Sequence, residues 1–255
     1  MQLNIKNIIA VGSGKGGVGK STAATNLALA LHQQGQKVGL LDADIYGPSI
    51  PIMLGLRGQK PASNEEGIIE PLEAHGLKAM SIGFITEEDQ AVIWRGPMIH
   101  KMLHEFLSRV NWGELDTLIV DLPPGTGDAQ LSLSQLIPLT GAVVVTTPQE
   151  VAIADVRRAV QMFKKVNVPL LGVIENMNGD TFGMGGGEKA AGEWQMPFLG
   201  AVPLDGVVCK QGDCGVPILI SHPKSPVSLA FLKISQNLQS VLQSKTDAQI
   251  SIQKS

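Results

Sequence analysis

Short apolar runs alternate along the chain with longer stretches whose apolar residues recur at helical spacing. The apolar runs predict buried strands at residues 7–12, 37–42, 115–121, 142–147, 169–175 and 198–202. The helical spacing predicts helices at residues 21–34, 97–110, 150–166 and 226–243. This alternation of strand and helix indicates an α/β fold, in which a mostly parallel sheet is flanked by helices on both faces.

The pattern gives no reason to divide the chain into two units. We expect one domain over residues 1–243, in which the Gly- and Pro-rich segment 47–95 is an insertion on the same core. A short hairpin of residues 68–72 and 77–82 is expected within that insertion. Residues 244–255 are polar, and we expect them to form a frayed tail.

Composition and charge narrow the classes of function. Hydrophobic residues make up 44% of the 255 residues, which allows a large core, and the formal net charge is −3. No apolar run approaches the roughly 20 residues that cross a bilayer, and the charge does not favour nucleic acid or an anionic membrane. Because the chain opens without a secretory pattern and holds two cysteines, we expect a cytoplasmic protein with free thiols.

The loop between the first strand and the first helix carries the candidate chemistry. It matches the phosphate-binding pattern G-x-x-x-x-G-K-[ST] with the residues Gly14, Lys15, Gly16, Gly17, Val18, Gly19, Lys20 and Ser21. The glycines let backbone N–H groups turn towards phosphate oxygens at the positive end of a helix dipole. Lys20 would neutralise the β- and γ-phosphates, and the Ser21 hydroxyl would hold Mg²⁺. Thr22 adjoins the same site, with less reason to touch the metal.

Lys15 is unusual, because a lysine this early in the loop points away from the local phosphates. One interpretation is a charge that reaches the nucleotide of a facing subunit, as an arginine finger does. The other is a solvated surface lysine. The residues alone leave both interpretations open.

Acidic residues follow two of the predicted strands. Asp42 and Asp44 come after the second strand, and Asp121 ends the third. Ligands of open parallel sheets bind at the carboxyl ends of the strands, so we expect Asp42 and Asp121 to hold Mg²⁺ together with Ser21. Asp44 is the candidate for orienting an attacking water. The predicted catalytic residues are Lys15, Lys20, Asp42 and Asp44.

Taken together, these motifs resemble those of a known family. The loop with its extra lysine is similar to the deviant Walker A motif of the MinD/ParA-type ATPases. Further segments resemble the Mrp/ApbC family of iron–sulfur cluster carrier ATPases, and they are residues 41–49, 94–97, 121–128, 147–150 and 175–177. The resemblance extends roughly from Ile5 to Leu238.

The resemblance implies a slow ATPase that acts as a homodimer with two ATP molecules between its subunits. Lys15 would then reach the phosphates of the other subunit, Asn176 would hydrogen-bond adenine, and the backbone at Pro203 would flank the base. The implied partners are apo iron–sulfur proteins or other assembly factors, with no membrane and no nucleic acid. Many members carry an extra small N-terminal domain, which we expect to be absent here.

One departure from the family pattern concerns the cluster. Members place a C-x-x-C pair in a region where residues 176–186 of this chain contain no cysteine. The two cysteines, Cys209 and Cys214, lie downstream at C-x₄-C spacing. Two thiolates per subunit would suffice for a [4Fe–4S] cluster that bridges a dimer. Two small thiols on a helix–loop segment, without a cluster, are the simpler interpretation.

Two other functions are compatible with the same loop. A MinD/ParA-type positioning or partition ATPase would want a basic amphipathic C-terminal helix or basic surface patches, which this sequence does not favour. A small-molecule kinase would need an acceptor pocket that the sequence does not identify. An ATPase that carries or helps assemble iron–sulfur clusters is therefore the leading hypothesis.

Overall fold

A computed structural model describes residues 4–86, 96–125 and 127–253. The strands in these ranges are β1 (Ile5–Ser13), β2 (Val38–Asp42), β3 (Leu72–Ala74), β4 (Leu77–Ser81), β5 (Leu115–Asp121), β6 (Gly141–Thr146), β7 (Leu170–Asn178) and β8 (Phe198–Pro203). The helices are α1 (Lys20–Gln33), α2 (Ile50–Met53), α3 (Gly96–Ser108), α4 (Asp128–Leu136), α5 (Glu150–Lys165), α6 (Gly186–Glu193), α7 (Gly206–Asp213), α8 (Ile218–Ser221) and α9 (Pro226–Gln253).

The strands form a single sheet in the order β3-β4-β2-β5-β1-β6-β7-β8. Neighbouring strands run parallel, apart from the antiparallel pair of β3 and β4 at one edge. One group of helices (α1, α2, α7, α8 and α9) packs together, and a second group packs in the series α3, α4, α5, α6. The expected α/β fold, with a mostly parallel sheet between helices, is confirmed.

The core explains why the central strands read as continuous apolar runs. Side chains of β1, β5 and β6 are buried on both faces of the sheet, because helices cover both. Helix α1 is buried along most of its length, since it lies between the sheet and α9. Burial on this scale is the main favourable contribution to folding.

The strand order determines which loops meet. Strand β5 lies between β1 and β2, and the register pairs Asp121 with both Val11 and Asp42. Parallel strands end at the same edge of the sheet, so the loop that follows β1 lies beside the carboxylates that end β5 and β2. The candidate site is thus assembled by three neighbouring strands.

Two parts of the chain differ from the expectation. The hairpin exists, but its first strand is Leu72–Ala74 rather than 68–72, because Ile69 pairs with Ser63 and Val110 as isolated bridges instead. Helix α9 continues to Gln253 through the segment expected to be a frayed tail. That segment contains neither Gly nor Pro, and Gln243 Nε2 donates to Asp247 Oδ1 one helical turn away at 2.9 Å.

Residues 87–95 of the expected insertion, including two residues of the motif at 94–97, lie outside the described residues. Among the described helices, none combines the length and the apolar character that a bilayer crossing requires.

Candidate nucleotide and magnesium site

The phosphate-binding loop joins the end of β1 to the start of α1, and at two of its glycine positions a residue with a Cβ does not fit. Gly19 has a φ of +80°, in the left-handed region, and a Cβ there would lie 2.2 Å from Asn176 Nδ2. A Cβ on Gly14 would lie 2.2 Å from the carbonyl carbon of Asp155 in α5. The loop therefore adopts its turn only with glycine at both positions.

Lys20 is the first residue of α1, and its buried ammonium faces the acidic strand ends. Its Nζ lies 2.7 Å from Asp121 Oδ1 and 3.4 Å from Asp44 Oδ2, and it donates to Ser21 Oγ at 3.2 Å. Burial by itself lowers the pKa of Lys20, but the Asp121 and Asp44 carboxylates outweigh it and the pKa is raised. The side chain is therefore a permanent cation at the foot of the loop.

The same cluster leaves oxygen atoms for a metal ion. Asp44 Oδ1 and Asp121 Oδ2 are buried, and neither has a hydrogen-bond partner in the described part of the chain. Burial raises the pKa of Asp121, and Lys20 partly offsets that rise. Carboxylate and hydroxyl oxygens are the hard ligands that Mg²⁺ prefers, so Asp121 and the nearby Ser21 hydroxyl fit a magnesium ion, and Asp44 Oδ1 stays available to accept a hydrogen bond from a water.

Asp42 is engaged differently from what the sequence suggested. Its Oδ1 accepts a hydrogen bond from Asp44 N at 3.1 Å, and its Oδ2 accepts from Ile50 N at 3.2 Å and Ser81 Oγ at 3.1 Å. Burial, together with the Asp121 charge, raises the pKa of Asp42 to about 8. Both oxygens thus hold the loop after β2 in place and so position Asp44, and the metal and catalytic role expected of Asp42 stays a prediction.

A cavity of about 250 Å³ opens beside the loop, against α1 and α7. The predicted nucleotide contacts Thr22, Asn176 and Pro203 all line it, so the structure brings them together. Asn176 Nδ2 also donates to the backbone oxygen of Val18 at 2.9 Å. Asn176 therefore fixes the phosphate-binding loop as well as facing the space next to it.

Lys15 lies half-buried at the outer side of the loop, next to the exposed Gly16 and Gly17. Its backbone oxygen accepts a hydrogen bond from Ser13 Oγ at 2.9 Å, which fixes the backbone at this point. The action of Lys15 on a facing subunit stays a prediction.

The structure does not bring the two cysteines together. Cys209 lies within α7, Cys214 follows its last residue, and both are exposed. Positions five apart on a helix point about 140° away from each other, and the role of the two thiols as cluster ligands stays a prediction. The described residues contain no group of three or more His, Cys, Asp or Glu side chains that could hold a metal ion by themselves.

Glu175 is a residue whose role the sequence did not reveal. It is fully buried on β7; its Oε2 accepts from Gly187 N at 2.6 Å, and its Oε1 accepts from Gly185 N at 3.0 Å and from the Asn178 amide. It anchors segment 178–187, the segment that lacks the family's cysteines. The signal available in the sequence is a lone acidic residue directly after the apolar run of β7.

With this geometry in place, comparison with known proteins settles the family. A model of the ParA family described as NUBPL iron-transfer P-loop NTPase matches residues 4–239. The chain belongs to this family. The NUBPL-type NTPase fold accounts for the loop, the strand order and the carboxylates described above.

Curated relatives of this NUBPL-type NTPase support the assignment. The iron-sulfur cluster carrier protein of Aquifex aeolicus is 54% identical over 254 residues, with 95% of this chain and 70% of the relative covered. The iron-sulfur cluster carrier protein of Escherichia coli K12 is 48% identical over 248 residues, with 93% and 67% covered.

Solved structures agree with this NUBPL-type NTPase fold. A nucleotide-binding protein from Archaeoglobus fulgidus, in complex with ADP, is 40% identical with a TM-score of 0.75, covering 88% of this chain and 90% of that one. The cell division ATPase MinD of Pyrococcus furiosus has a TM-score of 0.73 at 22% identity, covering 92% and 99%. At that identity, the likeness to MinD shows the fold alone.

Proposed function

We propose that this NTPase hydrolyses ATP and that it carries iron–sulfur clusters, or assists their assembly, as a homodimer. The observation that carries the proposal is the buried Lys20 ammonium held between Asp44 and Asp121 at the foot of a glycine loop. The names of the curated relatives indicate that the cargo is an iron–sulfur cluster. Residues 1–243 would act as one ATPase domain.

The proposed chemistry is phosphoryl transfer to water, which depends on positioning and charge. Backbone N–H groups of the loop and the Lys20 ammonium bind the phosphates, and Lys20 exchanges its carboxylate contacts for phosphate oxygens. Asp44 orients the attacking water by accepting a hydrogen bond from it. Mg²⁺ held by Ser21, Asp42 and Asp121 would neutralise charge on the phosphates.

The rest of the nucleotide fits the cavity beside the loop. Thr22 lies at the start of α1, next to the phosphates, and Asn176 and Pro203 would contact adenine from the ends of β7 and β8. Because Asn176 also bonds the Val18 carbonyl, base binding and phosphate-loop geometry share one side chain. This arrangement favours a nucleotide over an isolated phosphate.

In the proposed dimer, Lys15 of each subunit reaches the phosphates of its partner and stabilises charge in the transition state. The recipients of the cargo would be apo iron–sulfur proteins or other assembly factors. The cluster is the cargo of this reaction; Cys209 lies in α7, Cys214 follows its last residue, and helical geometry turns the two side chains in different directions. We therefore assign no transfer step to these thiols.

Cluster delivery tests the function directly. The protein is reconstituted anaerobically with iron and sulfide and mixed with the apo form of a [4Fe–4S] enzyme, whose recovered activity is measured with and without MgATP. We expect faster recovery with the protein present, and a response to MgATP that Lys20→Ala loses. Equal recovery without the protein would contradict the proposal.

A second experiment reports whether the thiols hold the cargo. It compares the iron and sulfide content of the reconstituted wild type with that of a Cys209→Ser/Cys214→Ser double variant.

A further inference from the structure

The cavity beside the phosphate-binding loop has a thiol in its wall. Cys209 lines it together with Asp205 and Asp213, all from the region of α7, and the cysteine is exposed to solvent. The Cys209 thiol donates weakly to Asp213 Oδ2 at 3.8 Å. Cys214 is also exposed, but it is not among the residues that line this cavity.

An independent feature indicates that the cavity receives a ligand. The side chain of Asn26 also lines it and is 3% exposed. Its Nδ2 donates to the Thr22 carbonyl at 2.9 Å, which fixes the orientation of the amide, because a carbonyl only accepts. Its Oδ1 is left buried with no partner in the described part of the chain. A buried acceptor of this kind costs free energy until a donor meets it.

We propose that Cys209 is a modification site through which low-molecular-weight disulfides, such as oxidised glutathione, switch off nucleotide binding. The proposal rests on the proposed function, since it assumes that the nucleoside part of ATP occupies this cavity. The Cys209 thiolate attacks one sulfur of the disulfide, a new S–S bond forms, the old S–S bond breaks, and one thiolate leaves and takes up the proton. A dithiol reductant reverses the exchange.

The physical basis is competition for space. Because Cys209 is part of the cavity wall, a tripeptide attached there reaches the space on which Thr22, Asn176 and Pro203 converge. The same adduct on Cys214 leaves that space open. Nucleotide binding is therefore expected to depend on the redox state of one cysteine and not of the other.

The two cysteines provide a matched pair for the experiment. Wild type, Cys209→Ser and Cys214→Ser are each treated with oxidised glutathione, and MgATP affinity is measured by calorimetry before and after treatment, each variant against its own untreated form. We expect treatment to weaken binding by about tenfold or more in the wild type and in Cys214→Ser. Cys209→Ser is expected to show no change, and a dithiol should restore the wild type.

Protection of Cys209 by bound MgATP provides a second measurement. MgATP is expected to slow the reaction of Cys209 with N-ethylmaleimide, followed by mass spectrometry, while the rate at Cys214 is unchanged. The inference is overturned if modified Cys214→Ser binds MgATP normally, if both thiols react at unchanged rates, or if circular dichroism shows that the adduct unfolds the chain. Failure of the untreated wild type to bind MgATP would instead refute the proposed function.

Discussion

Lys20 sets the charge balance of the buried acidic cluster, and it is also the proposed charged donor to phosphate. Its ammonium is 6% exposed and lies against two carboxylates, with Asp42 close behind them. We expect Lys20→Ala to weaken MgATP binding by about two orders of magnitude, because phosphate loses its charged donor. In EDTA, we also expect the free energy of unfolding to fall by about 3 kcal/mol, since buried carboxylates lose their cation. Calorimetry and urea titration measure the two effects.

Lys15 provides the control for this prediction. It belongs to the same loop, but it lies on the outer side and has no part in the buried cluster. Lys15→Ala should retain MgATP binding and lower the hydrolysis rate, because its proposed contact stabilises only the transition state. A Lys20→Ala protein that binds MgATP normally would remove the basis of the site, and unchanged turnover in Lys15→Ala would place Lys15 on the surface.

Asp42 couples stability to pH. Its pKa of about 8 in the folded chain lies above its ordinary 3.8, so between these values the folded chain binds more protons there than the unfolded chain does. The contribution is complete below about pH 4 and is lost as the pH rises through about 8. We expect the free energy of unfolding in EDTA to decline over this window, and Asp42→Asn, which does not titrate, to flatten the decline. Parallel curves for the two proteins would contradict this linkage.

At the scale of elements, Glu175 joins β7 to the start of α6. Its carboxylate accepts hydrogen bonds from the backbone N–H groups of Gly185 and Gly187, and its removal takes this acceptor from both. We expect Glu175→Ala to lower the free energy of unfolding by about 2–4 kcal/mol and to speed hydrogen exchange at both glycines. Glu188→Ala removes an exposed carboxylate from the first turn of the same helix and should cost below about 1 kcal/mol. Equal losses in the two variants would refute the anchoring role.

The elements also show how far the sequence could predict the structure. Strand β5 has the predicted bounds, and β1, β2 and α1 differ by one or two residues, because buried strands are continuous apolar runs and long helices carry a strong periodic signal. The four-residue helices α2 and α8 are too short for any period. Within the site, the loop and Asp121 were predictable from local motifs. The partner of Asp42, Ser81, lies 39 residues away, and only the pairing of β2 with β4 brings it there.

At the scale of the whole molecule, the proposed dimer would use the face that carries the phosphate-binding loop. Val151, in the first turn of α5, and Met184 are 68% and 69% exposed. Gly14 packs against α5, which carries Val151, and Gly186 packs on Pro148 just before that helix, so Met184 belongs to a segment that adjoins the start of α5. Apolar groups exposed around a polar site are typical of an interface.

A variant that binds MgATP but hydrolyses it slowly should reveal the proposed dimer. Asp44 is proposed to orient water, so Asp44→Asn should bind MgATP and turn it over slowly. The ATP-bound state would then accumulate, and light scattering should give a mass of about twice the 27.0 kDa of one chain. Lys20→Ala, which cannot hold the nucleotide, should remain at the mass of one chain under the same conditions. If Asp44→Asn saturated with MgATP also keeps the single-chain mass at every protein concentration tested, Lys15 has no facing phosphate to reach, and hydrolysis must be completed within one subunit.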